Sequence, residues 1–139
     1  MIAAARSMRW TIVFSVMLGI GLSWLTPMSW IDAVFPVVTM KSEVMAKTPT
    51  EVVVRLSGTK HRDCKYEGID AFSKHGGMVR DLNMERVDMP DDGMTKPKGH
   101  YDFGLWRIWP TANTKLVTIY VRYDCDGRDV FVIAAEVLL

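Results

Sequence analysis

Only two cysteines and three histidines stand in this 139-residue chain, which leaves little for metal chemistry. A structural zinc site takes four Cys or His ligands at short, regular spacings, and none is present. No Gly-x-Ser-x-Gly, phosphate loop or pair of catalytic carboxylates can be found, so no common enzyme class announces itself. Asp124-Cys-Asp-Gly-Arg-Asp129 is acid-rich but lacks the length and closing glutamate of a calcium loop. Charge of one sign is missing too. The formal net charge is +1 at pH 7, with no block of like charges, which excludes a general attraction for nucleic acid. Repeats and low-complexity tracts are absent.

The most telling absence is local. From Trp10 to Leu25 there is no charged residue. Extended to Ile31, the apolar stretch would make a helix about 33 Å long, against a hydrocarbon core of about 30 Å. Trp10 stands at one end and Trp24 and Trp30 at the other, where an indole can keep its body in lipid and its N–H wet. Arg6 and Arg9 precede the stretch, and only Asp32 lies between it and Lys41. This asymmetry predicts a cytoplasmic N-terminus at residues 1–9, a span at 10–31 and an extracytoplasmic domain at 36–139. In a bacterium that domain would be periplasmic. A cleaved signal peptide is the competing reading, but no small-x-small cleavage site follows Leu25 closely. Thr26-Pro27 resembles a helix start, and Met28, Ile31, Val34 and Phe35 recur at near-helical spacing. A short interfacial helix over 27–35 is expected, with a proline-kinked continuation of the span as its alternative.

Residues 36–139 carry 15 Lys/Arg and 15 Asp/Glu, a neutral domain of one core. Both cysteines fall in it. Outside the cytoplasm an even number predicts a disulfide, Cys64–Cys125. Closing about 60 residues is worth about 4 kcal/mol in the chain-entropy picture. Two buried free thiols are the alternative.

The domain alternates with period two. Val117, Ile119, Val121, Tyr123 and Cys125 share one face of a strand, and Thr118, Tyr120, Arg122 and Asp124 the other. Asp126-Gly127 is a hairpin turn signal. Asp129–Leu139 is almost continuously apolar, which predicts a strand covered on both faces. Further strands are expected over Phe35–Ala46, Glu51–Gly58, Cys64–Phe72, Met78–Met89 and Gly104–Trp109. The alternation breaks near Gly68. Seven short strands and no helix after residue 36 predict an all-β fold, a small antiparallel β-sandwich. Tyr123 two residues before Cys125, and a tryptophan between the cysteines, resemble the immunoglobulin fold and its tyrosine corner. The tryptophan would be expected sooner after the first cysteine, so the resemblance extends to architecture alone.

Asp88–Tyr101 reads as a long loop. Its Met89, Asp91, Asp92, Met94, Lys96, Lys98, His100 and Tyr101 mix adaptable methionines with charges and an aromatic, as protein contact surfaces do. Trp109 would join them as an anchor. Tyr101, Phe103, Trp106 and Trp109 otherwise suit the core. The expected role is non-catalytic: a membrane-anchored module with lipid around residues 10–35, a protein partner in an envelope complex, no cofactor, no metal and no nucleic acid. Its small size would also suit a phage or other mobile element. A ligand- or carbohydrate-binding sensor would need a groove at Trp106 or Trp109. A metal-dependent enzyme would need His61, Asp63, His100 and Asp102 to converge.

Overall fold

The computed structural model describes residues 29–75, 77–89 and 96–139. The predicted span, with Arg6, Arg9, Trp10 and Trp24, lies outside the described residues. Among those described, no helix is long and apolar enough to cross a membrane. The chain divides into two units at Phe35 and Pro36. In the first, a six-residue helix, α1 (Ser29–Val34), falls within the window expected for a short helix. It closes with Phe35 N–H donating to the Ile31 carbonyl at 2.8 Å. Trp30, Ile31, Val34 and Phe35 are exposed on it.

The second unit is antiparallel β throughout: β1 (Val38–Lys47), β2 (Val52–Lys60), β3 (Lys65–His75), β4 (Met78–Arg86), β5 (Gly99–Trp109), β6 (Leu116–Cys125) and β7 (Arg128–Leu138). The spatial order is β1-β2-β5-β4-β3-β6-β7 in one sheet. Since every neighbouring pair is antiparallel, the edge strands β1 and β7 run parallel to each other. The sheet curls until they lie side by side. Lys47 Nζ donates to the Leu138 carbonyl at 3.0 Å across that seam.

Strand β4 makes the curl possible. Its residues Met78–Leu82 pair with β3, and Asn83–Arg86 pair with β5. The strand thus leaves one neighbour and joins another midway, as strands do at the corner between two packed layers. The first halves of β3 and β5 are left without β4 between them.

Inward residues follow the predicted alternation. Val52, Val54 and Leu56 of β2 meet Val117, Ile119, Val121 and Tyr123 of β6 in one buried cluster with Tyr66, Phe103, Trp106 and Ile108. Burying a side chain of this size is worth about 1.5–3 kcal/mol. Asp126 (φ 57°) and Gly127 (φ 80°) make the β6–β7 turn with two positive φ angles, as the Asp-Gly signal predicts.

Two expectations need correction. Strand β5 begins at Gly99, not Gly104, so His100 and Tyr101 are paired strand residues, opposite Thr59 and Gly58. The cause is a bulge: Leu56 pairs with Gly104 and Ser57 with Asp102, leaving Phe103 extra. The bulge resets the phase, so that Phe103 and Trp106 both point inward despite their odd spacing. A similar irregularity between Tyr66 and Gly68 explains the broken alternation there. Strand β7 is covered on one face only. Val130, Ala135 and Val137 are buried, whereas Phe131 and Ile133 are 55% and 59% exposed.

Candidate functional site

Two places on the domain gather unusual side chains. The first is the end where β2 and β6 finish and β3 and β5 begin. Lys65 and Asp124 are cross-strand partners, which brings the residues just beyond them, Cys64 and Cys125, together. Their Cα atoms are 4.6 Å apart and the sulfurs are bonded. No cysteine is free among the described residues.

Beside the disulfide lies Lys60, 2% exposed. Its ammonium donates to the carbonyls of Cys64 and Lys96 and sits 5.5 Å from the Tyr123 ring centroid. Burial pushes the Lys60 amine below its ordinary pKa; Asp63 opposes this and Lys96 adds to it. Lys96 places its own ammonium 3.9 Å from the Tyr66 ring centroid. Tyr66 in turn packs on Phe103 and Tyr123, each at 5.9 Å between centroids. The Tyr123 hydroxyl is buried without a hydrogen-bond partner among the described residues. Burial, and then Tyr101, raise its pKa well above the usual phenol value. This overturns the tyrosine-corner resemblance, since a corner tyrosine bonds back to the main chain.

Of the predicted contact residues, Lys96, Lys98, His100 and Tyr101 lie along the segment that enters β5, and Trp109 lies apart from them. Met89 is exposed, and Asp91, Asp92 and Met94 lie outside the described residues. Lys98 pairs with Asp63 at 3.5 Å. His100 is exposed, with Nδ1 3.4 Å from Thr59 Oγ1. Tyr101 is half-buried, 6.4 Å from Phe103 between ring centroids. Trp109 is 38% exposed at the far end of β5, about 30 Å away at roughly 3.3 Å per residue.

The four residues that a metal-dependent site was expected to use do not form a metal-holding group. His61 Nε2 lies 2.8 Å from Thr39 Oγ1, and Asp63 faces Lys98. Asp102 accepts from Gly104 N–H at 2.9 Å and faces Arg55 at 3.9 Å. No group of three or more His, Cys, Asp or Glu able to hold a metal occurs among the described residues. Trp106 is buried, with its indole N–H on the Phe103 carbonyl at 2.8 Å, so it lines no groove.

The second place was not foreseen. On the outward face of β3, β6 and β7, Phe72 and Tyr120 lie 4.8 Å apart and Tyr120 and Phe131 5.4 Å apart, between ring centroids. Ile133 pairs with Tyr120 and extends the row. The outward face of β1, β2 and β5 is different: its Arg55 faces Asp102, and Arg107 is held between Glu51 at 2.9 Å and Glu85 at 3.3 Å. The signal was present in the sequence as Phe131 and Ile133 at alternate positions of the last strand. An apolar run, however, does not say which of its faces the fold will cover.

Comparison with known protein families, with curated proteins and with solved structures gives no match.

Proposed function

We propose that this protein is a non-catalytic, membrane-anchored module whose β domain works outside the cytoplasm and contacts a protein partner. We further read the domain as an immunoglobulin-like sandwich. The strand order supports that reading: β1-β2-β5-β4 and β3-β6-β7 correspond to the A-B-E-D and C-F-G sheets of the constant-type domain, with β4 crossing between them. The disulfide departs from that pattern. It joins neighbouring strands of one layer rather than two opposed layers.

The observation that carries the contact reading is the row Phe72, Tyr120, Phe131 and Ile133. Isolated exposed apolar side chains are ordinary; here Phe131 and Ile133 are exposed beside the half-buried Phe72 and Tyr120, and that contiguity supports a contact at this face. The anchor reading rests on the uncharged stretch from Trp10 to Leu25 and the arginines before it. A photo-crosslinker at Phe131, with a control at Lys41 on the opposite face, tests the contact in host cells. A discrete crosslinked protein from Phe131 alone supports it, and no product removes it. A phosphatase fused after Leu139 tests the orientation: activity is expected, and an inactive fusion would reverse the topology.

A further inference from the structure

The outward face that carries the aromatic row is acidic, although the domain as a whole is neutral. Asp70 faces Tyr120, and Asp81 faces Phe72. Asp129 and Glu136 flank Phe131 and Ile133 along β7. Asp124 and Asp129 stand directly opposite each other, a like-charge pairing that costs stability. Against these the face offers Lys65, Lys74 and Arg122. Arg122 is already shared between Glu67 at 3.6 Å and Asp70 at 3.8 Å. The Tyr120 phenol registers the field: burial, then Asp70 and Asp81, raise its pKa, against a smaller opposing effect of Arg122.

We infer that the partner seated on this face is a protein surface with an apolar centre bordered by lysine or arginine side chains. The inference rests on the contact reading above and names the chemistry of that contact. A second copy of this chain fits poorly. A two-fold contact would set the same carboxylates against each other, and like charges brought together at an interface are costly. An anionic lipid surface is repelled for the same reason. A basic rim instead satisfies Asp81, Asp129 and Glu136 and leaves the aromatic row to be buried by apolar side chains.

The test uses the full chain in host membranes with the photo-crosslinker at Phe131. Asp70→Lys combined with Glu136→Lys is expected to lower the yield of the crosslinked protein at least about tenfold. Glu43→Lys, on the other outward face, should leave it unchanged. Asp70→Asn with Glu136→Gln, which keeps shape and removes charge, should give an intermediate loss. Both altered sites are exposed, and an unchanged melting temperature of each variant confirms the fold. Raised salt should weaken the wild-type crosslink, and the crosslinked peptide of the partner should be rich in Lys or Arg. A crosslink that persists in the charge-reversed variant overturns the basic partner and leaves the contact standing. A product consisting of a second copy or of lipid also overturns it. No product from the wild type removes the contact reading itself.

Discussion

The ammonium of Lys60 donates to the main-chain carbonyl of Lys96, tying the end of β2 to the segment that leads into β5. Burial lowers the Lys60 pKa in the folded chain, so the unfolded chain holds that proton more tightly. Stability then rises with pH between the lowered folded value and the ordinary 10.5. Its slope cannot exceed about 1.4 kcal/mol per pH unit for one proton. Tyr120 and Tyr123 act in the opposite sense. Their folded pKa values are raised, so above pH 10 the unfolded chain ionises first and stability falls. Urea midpoints should fall as pH passes 10, and the wild type should fall less steeply than Lys60→Met, which lacks the opposing gain from the lysine. Equal slopes for the two proteins would refute the assignment.

Breaking the disulfide should be costly. Cys64 and Cys125 are 61 residues apart, so their bond removes much freedom from the unfolded chain. Cys64→Ala or Cys125→Ala should each cost about 4 kcal/mol, read from urea unfolding. Reductant should do the same to the wild type. Thiol labelling of the denatured, unreduced chain should find no free cysteine, and two labelled sites would contradict the bond.

Gly104→Ala should be damaging for a local reason. Gly104 has φ +91°, and a Cβ there would run into the guanidinium of Arg86. Backbone strain of this kind costs about 1–3 kcal/mol. The displaced guanidinium would also leave Asp88, which it now meets at 3.0 Å. Burial would raise the Asp88 carboxyl, but hydrogen bonds from Arg86 and the main chain of Leu105 outweigh it and hold it below its usual value. Asp88 thus adds stability that is present above pH 3.8 and is lost as pH falls through the lowered folded value. Carboxyl titration by NMR should show Asp88 moving up in Gly104→Ala. An unmoved titration would mean that Arg86 keeps its contact.

Two isoleucines on opposite faces should separate stability from contact. Ile119 is fully buried, and Ile119→Ala should cost about 2–5 kcal/mol. Ile133 is 59% exposed, and Ile133→Ser should change thermal stability by no more than about 0.5 kcal/mol. The same Ile133→Ser change should nevertheless reduce crosslinking from Phe131. Equal stability losses at the two positions would mean that β7 is covered on both sides after all.

Much of the fold was legible in the alternation of apolar residues. Val52, Val54, Leu56 and the row from Val117 to Cys125 lie inward as their spacing requires. Asp126-Gly127 turns the chain because both residues take positive φ. Only the second half of β5 shows in the sequence, because the bulge at Phe103 breaks the period that reveals a strand. The change of partner within β4 left no mark, since Leu82 and Asn83 alternate normally whichever neighbour they bond. The aromatic row is hidden in the sequence for a related reason. Phe131 and Ile133 are apolar like their inward neighbours, and only the three-dimensional arrangement separates the two sets.

The disulfide also has a mechanical consequence. A chain held at Pro36 and loaded on the outward face of β3, β6 and β7 must transmit tension from one half of the sheet to the other. Strand β4 offers five paired residues towards β3 and four towards β5, a ladder that can be peeled apart. The covalent route is shorter. It leaves β2 at Lys60 and reaches Cys64 four residues later, where the sulfur bridge hands the load directly to the end of β6. Were the domain tethered before Pro36 and held by a partner on that face, the bond would let pulling forces bypass the crossing strand at the end where the tether enters.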